Sequence, residues 1–282
     1  MDPRSTPLAI LIAVAVVAAI AAGVWLLLRR RRAGVAAAVA TAVVTRPVVL
    51  VHGLAGFDTL GFGRWRAAYF RGVAAGLRAR GVPVHTARLP AFASVPARAE
   101  ALARFVRSLP HPRVSLIAHS MGGLDARYAL SRLGLADRVA ELVTIGTPHR
   151  GTPIAALVRR WPWRWLTAAI ASAGAPVEAL DWLTPSALER FAETTPDAPE
   201  VTYYCVVARA SWRQLWRNPL LWACHLYLRW REGDSDGLVP VDSQRWGTCL
   251  GEVGADHWAQ IGWAVGSRAP ELYADIVARL RP

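Results

Sequence analysis

Between Arg113 and Leu133 the periodicity of the chain changes at a single serine. Arg113 to His119 (RVSLIAH) is a short, largely apolar run of strand character, and Met121 to Leu133 (MGGLDARYALSRL) repeats its apolar residues at helical spacing. No polar linker separates the two. Ala118-His119-Ser120-Met121-Gly122-Gly123 must therefore carry the backbone from strand to helix within one or two residues. The small residues at 118, 122 and 123 let strand and helix pass closely. Ser120 is left on a strained turn with its hydroxyl raised above the strand end, which makes it a candidate nucleophile.

The rest of the chain supplies the layers that such a turn requires. From Pro47 onward, short β-branched runs alternate with amphipathic stretches, the pattern of a parallel sheet covered by helices. The run VVLVH (48 to 52) is apolar on both parities, as a central strand should be. Further strands are expected at Val82 to Arg88, Glu141 to Gly146, Val201 to Ala208 and Thr248 to Val253. Helices are expected at Arg64 to Arg80, Ala97 to Ser108, Met121 to Leu133 and Glu271 to Leu280. The segment from Thr152 to Pro199 breaks this rhythm. It carries Trp161, Trp163, Trp165 and Trp182 interleaved with Arg159, Arg160 and Arg164. An insertion there would sit above the carboxyl edge of the sheet, where ligands bind. It reads equally as a lid that rests on a membrane interface or as a packed helical cap.

A nucleophilic serine needs a base, and the base needs an acid to fix its tautomer. In the α/β-hydrolase fold, which this strand–serine–helix arrangement resembles, the chain order is Ser, then Asp or Glu, then His. His52, His85, His111 and His119 precede Ser120, and His149 comes before any acid strand. Of the remaining two, His225 lies in the structural stretch CHLYLRW, whereas His257 follows Gly254-Ala255-Asp256 on a loop near the carboxyl terminus. His257 is the candidate base. The acid is sought in the Gly-rich turn Glu232 to Pro240, with Asp236 the first choice and Asp234 the second. Asp242 and Asp256 are read as a helix cap and a loop hydrogen-bonding group. Negative charge developing on an attacked carbonyl must meet two preorganised N–H groups. The candidates are the backbone of Met121 and of Leu54, the latter in the turn His52-Gly53-Leu54-Ala55-Gly56-Phe57-Asp58.

These motifs together resemble the bacterial triacylglycerol lipases of the Pseudomonas and Burkholderia type, within the α/β-hydrolase superfamily. The matching stretches are PVVLVHGLAGFD (47 to 58), LIAHSMGGLDARY (116 to 128), LVTIGTPHRGTP (142 to 153), GDSDGLVPVDSQRWG (233 to 247) and ADHWAQIG (255 to 262). The resemblance implies an α/β-hydrolase fold, a mostly parallel central sheet flanked by helices with a helical lid or cap. It implies a Ser120–Asp236–His257 triad with Leu54 and Met121 as the oxyanion hole, acting on acyl esters of lipids. Thioesterases, phospholipases and acyltransferases use the same triad, and a noncatalytic membrane adaptor on the same scaffold is the alternative from another class. Two departures stand out. Ala118 replaces the usual first glycine of the elbow. Ala259 occupies the position of an aspartate that helps hold structural calcium in those secreted lipases, so no cofactor is expected and calcium least of all.

Leu8 to Leu28 is a 21-residue run without charge, followed at once by Arg29, Arg30, Arg31 and Arg32. That length spans a hydrocarbon core. The charge comes after the apolar run, where a cleavable signal would carry it before, so residues 1–33 are read as a retained single-pass anchor. The arginine block places the catalytic domain on the cytoplasmic side. Residues 34–46 are the linker and residues 47–282 the catalytic domain, with the insertion at about 152–199. The formal charge of +13 would ordinarily raise nucleic acid as a partner. However, every one of the 33 basic residues is arginine, the bias of a GC-rich genome, and no nucleic-acid-binding signature interrupts the chain, so none is expected. Cys205, Cys224 and Cys249 form no C-x-x-C pair and are read as buried free thiols.

Overall fold

A computed structural model describes residues 46–54, 59–62, 65–158, 178–215, 218–264 and 266–280. The expected anchor at 1–33, the linker up to residue 45, Ala55 to Asp58 of the loop after the first strand, and the Trp161–Trp165 stretch lie outside the described residues. Among the described residues no helix is long and apolar enough to cross a membrane.

In chain order the strands and helices are β1 (Val48–Val51), β2 (Thr59–Phe62), β3 (Trp65–Ala68), α1 (Val73–Arg78), β4 (Val84–Thr86), α2 (Val95–Ser108), β5 (Val114–His119), α3 (Met121–Arg132), β6 (Val139–Ile145) and α4 (Pro153–Val158). They continue with α5 (Glu178–Asp181), α6 (Pro185–Thr194), β7 (Thr202–Arg209), α7 (Trp212–Leu215), α8 (Trp222–Arg231), β8 (Thr248–Gly254) and α9 (Ala269–Arg279). Six strands form one sheet in the order β4-β1-β5-β6-β7-β8, and every neighbouring pair is parallel.

Side-chain alternation explains why both faces are covered. Val49, Val51, Leu116, Ala118 and Leu142 point to one face, where they pack with Leu102 and Val106 of α2 and Ala129 and Leu130 of α3. Val48, Leu50, Ile117, Val143 and Ile145 point to the other, against Val73 and Leu77 of α1 and Tyr273 and Ile276 of α9. A strand feeding two cores must be apolar on both parities. β5 and β6 are buried at every position.

The five strands expected besides β5 all appear, each within a few residues of its predicted bounds. The helix expected over Arg64 to Arg80 does not. Trp65–Ala68 pairs antiparallel with Thr59–Phe62 in a separate hairpin, and only Val73–Arg78 is helical. The reason lies at Gly72, which caps the helix in the left-handed region (φ 76°) and so prevents a continuous helix from running through it. Cys249 is a second correction. It is exposed on the edge strand β8, whereas Cys205 and Cys224 are buried as expected, and all three thiols are free.

The elbow depends on close approach. A β-carbon on Gly122 would lie 2.7 Å from the Val51 carbonyl oxygen and 2.8 Å from that of His52, both backbone atoms of the neighbouring strand end. Helix propensity alone favours alanine over glycine by about 1 kcal/mol. Gly122→Ala is nevertheless expected to destabilise the fold by ~1–3 kcal/mol, because strand and helix must separate. A denaturant midpoint unchanged or raised in this variant would show that the contact can relax.

Within the insertion, Ala155 of α4, Ala179 of α5 and Leu188 and Phe191 of α6 pack on Val95, Met121 and Leu124, with Leu54 and Trp182 at the margin of the cluster. The described helices α4, α5 and α6 thus pack beside Leu54 and Met121.

Candidate active site

The carboxyl edge of the sheet gathers four turns: those after β1 and β5, the loop from α8 to Pro240, and the loop after β8. Ser120 takes φ 56° and ψ −132°, and among the described residues it is the single non-glycine at positive φ. Its backbone is over-determined. Ser120 N–H donates to the Ile145 carbonyl (2.9 Å) and Thr147 Oγ1 donates to the Ser120 carbonyl (2.8 Å). Strain of this kind survives only under such constraint.

The structure brings Ser120, His257 and Asp236 together. Ser120 Oγ lies 3.0 Å from His257 Nε2, and His257 Nδ1 lies 2.7 Å from Asp236 Oδ2. Asp236 is wholly buried. Its Oδ1 accepts from the Leu238 (3.0 Å) and Val239 (2.8 Å) amides, and its Oδ2 also accepts from Gln260 Nε2 (2.9 Å). With its acceptor sites filled by donors, Asp236 is held as a carboxylate acceptor. The Nδ1–H of His257 therefore points at it and Nε2 is left to receive from the serine.

The second-choice acid is elsewhere. Asp234 forms ion pairs with Arg209 and Arg229 on the outer side of the same turn. Asp256 behaves as a loop group, its Oδ1 accepting from the Trp258 (2.9 Å) and Ala259 (2.8 Å) amides. Asp242 opens a short 3-10 turn and lies 4.0 Å from Arg245. His225 sits buried on α8, with Nδ1 3.1 Å from Ser235 Oγ.

Leu54 and Met121 flank the serine. Met121 begins α3 directly after Ser120, so its N–H belongs to the unsatisfied first turn of a helix. The turn carrying Leu54 lies against Ser120, for a β-carbon on Gly53 would come within 2.8 Å of Ser120 Cβ. The orientation of the Gly53–Leu54 peptide is set from below. The Gly53 carbonyl accepts from His52 Nδ1 (3.0 Å) and from Arg98 Nη2 (3.2 Å). His52 carries its proton on Nδ1 because Nε2 accepts from the Leu89 amide (3.1 Å). A planar trans peptide whose C=O points at Arg98 must direct its N–H, that of Leu54, the opposite way.

Three supporting groups escape the motif reading. Gln260 braces Asp236. Arg98, wholly buried on α2, donates to Asp125 Oδ2 (2.8 Å), the Pro90 carbonyl (2.7 Å) and the His52 carbonyl (2.7 Å). Burial pushes the Asp125 carboxyl up to about 6 even though Arg98 pulls the other way. A signal for Arg98 exists, because it falls on the stripe Val95, Ala99, Leu102, Val106 that faces the core. The third group is a polar chain behind His257. His119 Nε2 donates to the His257 carbonyl (3.1 Å), His119 Nδ1 accepts from the Tyr69 hydroxyl (2.8 Å), and the Tyr69 oxygen accepts from the Gly53 amide (3.2 Å). Burial first, and the neighbouring His257 second, hold His119 well below the usual histidine range, so it stays neutral in one tautomer.

Ala259, at the position of the aspartate that helps hold calcium in the lipases the sequence resembles, offers no side-chain oxygen.

Residues 48–278 match the model of the alpha/beta hydrolase family. Triacylglycerol lipase 2 of Saccharomyces cerevisiae is 30% identical over 207 residues, covering 69% of this chain and 62% of that protein. A triacylglycerol lipase of Vibrio cholerae is 41% identical over 117 residues, covering 40% of this chain and 36% of its own length. The chain thus spans less than two thirds of these relatives. Among solved structures, the mature lipase BlEst2 of Bacillus licheniformis superimposes with a TM-score of 0.67 at 23% identity, covering 83% of this chain and 92% of that one. The Staphylococcus hyicus lipase gives 0.66 at 18% identity, covering 83% and 94%. At these identities the structural likeness speaks for the fold alone.

Proposed function

The chain belongs to the alpha/beta hydrolase family, and from that premise we propose that it is a membrane-anchored serine carboxylic-ester hydrolase, a lipase or esterase acting on acyl esters of lipids. The observation that carries this reading is the continuous run from Ser120 Oγ through His257 to Asp236, at 3.0 and 2.7 Å, with the serine on a strained elbow. The names of the relatives support the choice of ester over other acyl compounds.

In this reading His257 Nε2 removes the Ser120 proton as Oγ attacks the ester carbonyl. The Leu54 and Met121 amides receive the oxyanion, each worth on the order of 3 kcal/mol in the transition state. His257 then gives its proton to the leaving alcohol, which departs as the acyl-enzyme forms. Water enters, loses a proton to His257 and releases the acid, regenerating Ser120. Asp236 holds the imidazolium throughout without being protonated. The half-buried side chains of Leu54 and Trp182, at the margin of the apolar cluster that covers Met121, offer an acyl chain an apolar surface.

Leu8 to Leu28 and the arginines after it are the anchor in this proposal, with the catalytic domain on the cytoplasmic side and substrate reached from the bilayer.

The full chain in detergent micelles, given p-nitrophenyl esters of increasing acyl length, is expected to turn over with preference for long chains. A fluorophosphonate probe is expected to label Ser120, mapped by mass spectrometry. Absence of both turnover and label would point to a noncatalytic scaffold.

A further inference from the structure

Four large apolar side chains are exposed among the described residues: Phe92, Trp212, Leu226 and Trp230. Three of them fall within the excursion between β7 and the acid loop. Trp230 is 80% exposed and Leu226 52%, one helical turn apart on α8, and Trp212 of α7 (50%) stands edge-on to His225 of α8. The opposite side of α8 is buried, with Cys224 and Leu228 packed on Ile154 of α4. A helix apolar on two sides has a partner on one of them and lacks one on the other. Arg213, Arg229 and Arg231 border the exposed side, Arg229 paired with Asp234 and Arg231 with Glu232.

We propose that the outer face of α8, with Trp212 beside it, docks on the headgroup–acyl boundary of a phospholipid bilayer and turns the carboxyl edge of the sheet toward the membrane. The proposal rests on the membrane-anchored ester-hydrolase reading above, for the tether that supplies the first attachment and for what the docking serves.

Chemistry selects this occupant. Tryptophan with an aliphatic neighbour, rimmed by arginines whose stems lie along apolar surface while their heads reach water, is the composition that settles at a bilayer interface. A second copy of the chain is a poorer fit. Ten helical residues extend about 15 Å, and three partly exposed side chains fall far short of the roughly 800 Å² per partner that a stable dimer buries.

A bilayer needs no such area if the domain is already tethered. The uncharged run ending at Leu28 precedes Arg46 by seventeen intervening residues, a reach of roughly 60 Å when extended. The domain itself is about 45 Å across. Arg46 enters at the amino edge of the sheet and α8 lies at the carboxyl edge, so the tether is long enough to let either edge meet the membrane. Surface chemistry then decides, and a weak contact suffices at the millimolar effective concentration a short tether gives. α8 leads directly into the loop that carries Asp236, and through Leu228 and Ile154 it supports α4. Docking by this face brings the mouth of the site against the lipid.

The test uses the full chain reconstituted in phosphatidylcholine vesicles. Tryptophan quenching by phosphatidylcholine brominated near the glycerol end of its chains is compared between wild type and Trp230→Phe, so that the difference isolates Trp230. That component is expected to be quenched, and an unquenched component overturns the proposal. Turnover is then measured on a triacylglycerol dissolved in the bilayer and on p-nitrophenyl butyrate in water. The Leu226→Glu/Trp230→Glu double variant is expected to lose about tenfold on the bilayer ester, through loss of the second attachment, while butyrate turnover stays within about twofold because both residues lie on the surface. Equal loss on both esters, or none on either, overturns the proposal. If no form of the protein hydrolyses either ester, the hydrolase reading fails while the quenching result still decides the docking.

Discussion

Ser120→Ala is expected to lose about 10⁴ to 10⁶ in kcat, because the nucleophile and its base act as a unit and removing one forfeits nearly all that the pair supplies. What remains reflects the Leu54 and Met121 amides and substrate binding alone. The loss should fall on kcat far more than on KM, since the hydroxyl's contribution is made in the transition state. A second variant separates the chemistry from the geometry. Ser120 sits at φ 56° and ψ −132°, a region that costs a non-glycine residue of order 1–3 kcal/mol. It precedes α3 without giving the helix a side-chain cap, so no capping bond is lost on substitution. Alanine at this position would keep the strain and glycine would release it, less ~0.5–1 kcal/mol for the extra freedom of glycine in the unfolded chain. Ser120→Gly is thus expected to be inactive and yet about 1 kcal/mol more stable than Ser120→Ala. Urea midpoints for the two variants, beside ester turnover, decide the matter. Substantial activity in Ser120→Ala would remove the nucleophile assignment. A glycine variant less stable than the alanine one would show that the elbow stores no strain.

What the amino-acid sequence reveals and what it hides divide along physical lines. β1, β5 and β6 are legible because a strand buried on both faces is apolar at most positions of both parities, Ser115, His119, Glu141 and Thr144 being the few polar ones. Ser120, Asp236 and His257 are legible because chain order and turn composition leave few rivals, and the three side chains do meet. α8 is hidden because apolar residues surround it on both sides, so no clean amphipathic period appears. The β2–β3 hairpin is hidden because helical spacing over Arg64 to Arg80 conceals the stop at Gly72. The supporting shell is the least legible part. Gln260, His119 and Tyr69 act through hydrogen bonds between elements remote in sequence, and residue type alone does not announce them. Arg98 could have been noticed, since a charge on the buried stripe of an amphipathic helix requires a partner. The partner, Asp125, carries the same signature on α3, yet nothing local pairs two positions 27 residues apart.

Arg98→Met carries the second large expectation, and it concerns stability and catalysis at once. The guanidinium ties α2 to Asp125 of α3, to the Pro90 carbonyl and to the His52 and Gly53 carbonyls of the turn beside Ser120. Both charged side chains are wholly buried. Removing one partner strands the other, at ~3–5 kcal/mol. The pH dependence follows from Asp125. Burial already holds its carboxyl near 6 against the pull of Arg98, and without that pull it rises further. A carboxyl that is harder to ionise in the folded state than in the unfolded one, where it titrates near 3.9, favours folding at low pH. That contribution is lost as pH climbs from about 4 through the folded-state value. Arg98→Met should therefore unfold at lower urea at pH 8 than at pH 5. Adding Asp125→Leu removes the stranded charge and is expected to restore most of the stability. It cannot restore the bonds to the His52 and Gly53 carbonyls. The Gly53–Leu54 peptide is then free to turn, and the Leu54 N–H loses its fixed direction. A loss of about 10² to 10³ in kcat should persist in the double variant, the cost of one misplaced oxyanion donor. Activity that returns together with stability would mean that Arg98 serves the fold alone, and that His52 Nδ1 is enough to hold the turn.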